Sequence, residues 1–112
     1  MPVVLKTQSN TISKMHVKIH KSYRNVVAIC DSDLIGKYFS EGKRQLDLRE
    51  GFYKGEEVSL ADLINLIEKQ ALEDATFNIV GKESINASIK AGLITPSVVD
   101  KIAGIPFALT LI

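Results

Sequence analysis

Apolar and polar residues alternate strictly along Met15-His16-Val17-Lys18-Ile19-His20-Lys21. A period of two places Met15, Val17 and Ile19 on one side of a strand and His16, Lys18 and His20 on the other. After the turn residues Ser22 to Asn25, the run Val26-Val27-Ala28-Ile29-Cys30 is continuously apolar, the pattern of a strand covered on both faces. Together these segments predict an antiparallel hairpin. Asp31-Ser32-Asp33 offers side-chain oxygens to orphan backbone N–H groups, which predicts a short helix through Leu34, Ile35, Tyr38 and Phe39. Glu41-Gly42 would end it. Lys43 to Arg49 alternates again, with Leu46 and Leu48 on one face, and predicts a third strand. Gly51-Phe52-Tyr53-Lys54-Gly55 reads as an aromatic loop between two glycines.

In the second half the period changes. Leu60, Leu63, Ile64, Ile67 and Ala71 fall at helical spacing, with Ser59 as the cap and the end near Glu73. Thr76 to Val80 predicts a short strand closed by Gly81. Lys82 to Ala91 predicts a second helix, with Gly92 suited to the left-handed position after it. Thr95-Pro96 opens a third helix through Val98, Val99 and Ile102, stopped by Gly104. Phe107 to Ile112 is almost wholly apolar and predicts a strand in the interior of the sheet. Strands cluster early and helices late, so the expected class is α+β: a mixed, largely antiparallel sheet of about five strands with helices packed mainly on one face. Residues 15–112 form one compact domain in this reading, and residues 1–14 a flexible basic arm or added edge strand.

Composition narrows the class. The chain has 112 residues, with 46% hydrophobic and 24% charged, ordinary for one globular domain. With one cysteine, Cys30, no internal disulfide is possible, which suits a reducing cytoplasm. No apolar stretch approaches the ~20 residues that span a bilayer, and no signal peptide is expected. Residues 1–55 hold ten Lys/Arg and five Asp/Glu, a net +5, whereas residues 56–112 hold four and eight, a net −4. No acid occurs before Asp31. Such asymmetry marks either a face for a polyanion or a solvated segment offset in space by the acidic half.

Candidate chemistry is sparse. On a strand His16 and His20 lie roughly 13 Å apart, too far to share one metal ion, and no Cys, Asp or Glu is close in sequence. Gly81-Lys82-Glu83-Ser84 follows a predicted strand and opens a helix, but Thr76 and Glu83 break the phosphate-loop pattern. The two helices around Gly92 resemble a helix-turn-helix only superficially, since the second offers one base, Lys101, beside Asp100; DNA binding is not expected. Cys30 could meet His16 or His20 across neighbouring strands, yet alternation is expected to turn it inward and the histidines outward. Neither a catalytic constellation nor a cofactor motif is present, and no metal site is expected. The basic residues Lys37, Lys43, Arg44 and Lys54 interleave with Tyr38, Phe52 and Tyr53, which suits phosphate contact and base stacking. The plainer reading has Phe52 and Tyr53 plugging the core beneath a turn.

Several stretches act together as a signature. They are Val26-Val27-Ala28-Ile29-Cys30-Asp31, Leu34-Ile35-Gly36-Lys37, Phe52-Tyr53-Lys54-Gly55-Glu56, Asn78-Ile79-Val80-Gly81-Lys82-Glu83 and Gly104-Ile105-Pro106-Phe107-Ala108. In this order, from Met15 to the end, the chain resembles a small archaeal family, domain of unknown function 424. The resemblance implies a compact α+β cytoplasmic protein and brings no catalytic residues. It suggests a place in archaeal information processing. The leading expectation is a non-enzymatic RNA-binding accessory protein of the ribosome or translation machinery. Its RNA-contacting residues would be Lys6, Lys14, His16, Lys18, His20, Lys21, Arg24, Lys37, Lys43, Arg44 and Lys54, with ribosomal RNA or a subunit as partner. The acidic half would face solvent or another translation protein. The alternative is a small-ligand binder or enzyme with its site near Gly81 and Gly55.

Overall fold

A computed structural model of the chain describes residues 14–111. In chain order the elements are β1 (Met15–His20), β2 (Val26–Asp31), a 3-10 turn (Ser32–Leu34), β3 (Tyr38–Glu41) and β4 (Arg44–Asp47). There follow a short helix α1 (Glu50–Tyr53), β5 (Glu56–Val58), α2 (Leu60–Leu72), β6 (Thr76–Val80) and α3 (Lys82–Lys90). A second 3-10 turn (Pro96–Val98), β7 (Asp100–Ile102) and β8 (Ile105–Thr110) complete the fold. Six strands form one sheet in the order β5-β1-β2-β6-β8-β7, while β3 and β4 pair separately. β2 and β6 run parallel, and the other pairings are antiparallel. The α+β class with a mixed, mostly antiparallel sheet is therefore present, with six strands in the main sheet rather than five. Among the described residues no helix is long and apolar enough to cross a membrane.

The sheet has two differently built faces. Val27 and Ile29 of β2 and Phe77 and Ile79 of β6 point to one side. There they meet Leu63 and Ile67 of α2, and Ile85 and Ala87 of α3. The helical spacing read from residues 60–71 produces α2, and Asp62 N–H donates to Ser59 Oγ at 3.3 Å as its cap. Cys30, Val80 and Ile102 point to the other side, where Leu46 and Leu48 from the β3–β4 segment cover them. β2 is thus apolar throughout because both of its faces are buried.

Three expectations need correction. The stretch Leu34 to Phe39 is not a helix: only Ser32–Leu34 turns, and β3 follows. Gly36 at φ +84° breaks the helical path, and the aromatic pair Tyr38-Phe39 then alternates, one exposed and one packed. The strand expected over Lys43 to Arg49 forms as β4, with Leu46 and Leu48 buried, but it closes a hairpin with β3 instead of joining the main sheet. The helix expected from Pro96 to Ala103 is a single 3-10 turn followed by β7, which pairs with β8. With no second helix, the likeness to a helix-turn-helix disappears. Two smaller differences remain: the aromatic loop is the one-turn helix α1, and the acidic Glu56–Val58 adds β5 at the sheet edge.

Candidate functional site

Of the basic residues singled out from the sequence, Lys6 lies outside the described residues. The fold divides the others. His16, Lys18 and His20 share the non-helical side of β1, and α1 lies across them. Lys18 Nζ donates to Gly51 O at 2.8 Å, and His20 Nε2 is 2.9 Å from Phe52 O. The His20 and Phe52 rings stack with centroids 4.4 Å apart. His16 Nδ1 lies 3.0 Å from Gly55 O and 3.3 Å from Gly55 N. The face expected to be open is therefore a clamp that holds residues 51–55, and Lys18 has its ammonium on a carbonyl. Gly55 is needed for this approach, since a Cβ there would lie 2.1 Å from Val17 O. Phe52 and Tyr53 are half-buried, in keeping with the plainer reading of that pair.

Lys21 and Arg24 continue from the clamp into the exposed β1–β2 turn, and Lys54 ends α1 beside β1. Tyr23, between Lys21 and Arg24, is 101% exposed. These three charges form one group with the clamp. The remaining basic residues lie elsewhere. Lys14 precedes β1 at the opposite end of that strand. Lys37 leads into β3, and Lys43 and Arg44 stand at the hairpin tip, which reaches the β7 edge. There Arg44 pairs with Asp100 at 2.6 Å and lies 5.9 Å from the centre of the Phe107 ring, while Glu41 Oε1 accepts from Ala103 N–H at 2.6 Å. Asp100, from the acidic half, thereby offsets one charge of the basic half. Among the described residues no group of three His, Cys, Asp or Glu is arranged to hold a metal ion.

Cys30 needs a further correction. In the β1–β2 register it stands directly opposite His16, so the two share a face instead of pointing apart. That face is closed at Cys30 by the hairpin, and the thiol is fully buried. Burial, with Asp31 and Asp33 nearby, pushes it up to about 12, so it stays a protonated thiol at neutral pH.

The carboxyl ends of the parallel strands β2 and β6 carry the densest polar chemistry. Asp31, the last residue of β2, is buried and caps α3. Its Oδ1 accepts from Ser84 N–H at 2.8 Å and Ser84 Oγ at 2.6 Å, and its Oδ2 from Glu83 N–H at 3.1 Å. Burial raises the Asp31 carboxyl above the usual range, while these donors pull it back. Gly81 makes the arrangement possible: it holds φ +110°, and a Cβ there would lie 2.3–2.6 Å from the Asp31 carboxylate. The N-terminus of α3, a candidate phosphate cradle by sequence, is thus already occupied by the protein's own anion. Beside it opens a cleft of about 490 Å³ with Gly81, Leu34, Ile85, Ile105 and Pro106 in its wall. Gly55 is no part of this wall; it lies against β1, so the two glycines named from the sequence do not converge. The sequence signal for Asp31 was the acid ending an apolar strand, which reads equally well as the cap of the helix expected next in sequence.

The sequence profile of the family described as a protein of unknown function (DUF424) matches residues 19–111. The chain belongs to this family. A crystal structure of an uncharacterised conserved protein from Methanopyrus kandleri is similar at 23% identity with a TM-score of 0.79. The match covers 87% of this chain and 90% of that one, so the DUF424 chain and the archaeal protein share the fold. No curated protein matches the sequence.

Proposed function

We propose that this DUF424 chain is a non-enzymatic, cytoplasmic RNA-binding accessory protein of the ribosome or translation machinery. It docks through the β1–β2 turn and the adjoining end of α1. One observation carries the reading: Tyr23 projects wholly into solvent from a turn that also holds Lys21 and Arg24. An aromatic ring with no protein contact surface, flanked by positive charge, suits an unstacked base and its phosphates. Lys54, exposed at the end of α1 next to the Gly55 that lies against β1, adds charge. Lys18, His16 and His20 act indirectly, by holding α1 in place. The acidic residues Glu56, Glu57 and Asp62 follow α1 in the chain and face solvent or a protein partner.

The test is co-sedimentation of the full chain with ribosomal subunits at low and high salt. Co-migration with one subunit is expected at low salt and loss at high salt, because each phosphate contact releases counterions. Lys21→Glu combined with Lys54→Glu should abolish co-migration, and Tyr23→Ala should weaken it, with stability unchanged in both. A protein that stays at the top of the gradient at low salt ends this assignment.

A further inference from the structure

The cleft beside Asp31 lies where the two parallel strands send the chain to opposite faces of the sheet. After β2 the chain turns to the hairpin side, where Leu34 packs with Cys30 and Val80. After β6 it enters α3, whose Ile85 and Ala87 pack on the other side with Ile29 and Ile79. Neighbouring parallel strands with diverging exits leave a crevice at their carboxyl ends, where open sheets bind small ligands. The cleft has contributions from both exits and from the β7–β8 turn. Its volume falls within the range of small-molecule sites.

The polar lining defines the ligand. Lys82 and Lys101 both line the cleft, and neither ammonium has an ion-pair or hydrogen-bond partner among the described residues. Asn86 and Asp33 also line it, with no side-chain hydrogen bond or ion pair among the described residues. Asp31 also lines the cleft, but it is buried and its carboxylate already accepts from Ser84 N–H, Ser84 Oγ and Glu83 N–H. Two lysines against Asp33 and the buried Asp31 bring the lining to a net charge of zero, so the two exposed, unpartnered ammoniums suit one carboxylate and leave no excess charge for a dianion. Leu34, Ile85, Ile105 and Pro106 offer an apolar wall for a short hydrocarbon body. We propose that the cleft binds a small organic monocarboxylate, its carboxylate held by Lys82 and Lys101 and its apolar body against that wall. This site is separate from the RNA-contact surface, which lies at the other end of β2, about 17–20 Å away along a six-residue strand.

The experiment is an NMR amide titration of the full chain with three probes: hexanoate, hexyl phosphate and hexylamine. Hexanoate is expected to give saturable shifts confined to Asp33, Lys82–Asn86 and Lys101–Ile105. Lys82→Gln with Lys101→Gln should weaken it about tenfold while leaving the spectrum of a folded protein, since both side chains are exposed. Hexyl phosphate binding more tightly than hexanoate would overturn the carboxylate assignment. Equal shifts with hexylamine, or saturation with none of the probes, would overturn the site. Neither lysine belongs to the RNA-contact set, so failure here leaves the gradient experiment unaffected, and the reverse holds.

Discussion

On the helical side of the sheet, Phe77, Ile29 and Ile79 meet Leu63 and Ile67 with no exposed surface on most of these side chains. On the hairpin side a smaller cluster around Cys30, Leu48 and Val80 is extended by polar contacts, in which His16, Lys18 and His20 hold the carbonyls of residues 51–55. The two sides solve one problem by different means. Long amphipathic helices bring enough hydrocarbon to exclude water by themselves. A four-residue helix and a hairpin of two four-residue strands cannot, so their attachment leans on hydrogen bonds made at partly wet positions. Such bonds contribute less each, because water competes for both partners.

The difference can be broken most directly at Phe77, whose ring is fully buried among α2 and α3. Phe77→Ala should cost about 3–5 kcal/mol in urea unfolding. A loss below about 1 kcal/mol would mean that the helical side is not the stronger one. Next comes the strand end. Asp31→Ala removes the acceptor for three donors, including buried Ser84, and should cost about 2–3 kcal/mol. Gly81→Ala should cost about 1–3 kcal/mol through its positive φ and its contact with the same carboxylate. The double variant should cost less than the sum, because the alanine methyl enters space the carboxylate has left. Strict additivity in the double variant would contradict the observed contact.

A smaller effect is expected on the hairpin side. Lys18→Met keeps the packed stem and loses the bond to Gly51 O, for about 1 kcal/mol. Hydrogen exchange should quicken at the amides of Tyr53 and Lys54, which close α1, and not at Ile29 or Ile79 in the central strands. Phe77→Ala should instead quicken exchange throughout. Uniform acceleration in Lys18→Met would mean that both sides open as one unit.

The same contrast explains what could be read from the residues alone. α2 and β1 were legible because each carries a period long enough to repeat and packs with the period's own face, β2 because it is apolar throughout as a strand buried on both faces must be, and β6 and α3 because Gly81 and Gly92 bound them. Leu34 to Phe39 and Pro96 to Ala103 were not. Both begin with good helix-start chemistry, and in both the helical path lasts one 3-10 turn before a strand takes over. Their short apolar sets fit either period, and hairpin pairing with the strand that follows each one decided between them. Tyr38 pairs with Asp47, and Asp100 with Phe107. Of the candidate contacts, Lys21 and Arg24 were legible as an acid-free turn. The docking of α1 over His16, Lys18 and His20 was not, because it joins residues more than thirty positions apart through backbone carbonyls. The cleft was legible only at Gly81, since its lining comes from three separate chain segments.

The finest distinction between the two sides is electrostatic, and two consecutive residues report it. Asp31 ends β2 beneath α3, whereas Cys30 points to the hairpin side with Tyr53 close by. Burial is the largest cause of a raised pKa for all three groups. A group that holds its proton more tightly when folded favours the folded state below its unfolded value and loses that contribution as pH rises through the folded one. For Asp31 the loss begins above its ordinary 3.8, in the acid range. For Cys30 it spans 9.0 to about 12, and for Tyr53 10.0 to about 12. Stability should therefore fall with rising pH in two separate windows, one for each side of the sheet. Asp31→Asn should flatten the acid window only, and Cys30→Ala with Tyr53→Phe the alkaline one only. Urea midpoints across pH would check this. If Asp31→Asn left the acid window intact, or if wild-type stability rose with pH there, the three donors would outweigh burial at Asp31 and the helical side would hold its carboxylate as a favourable charge.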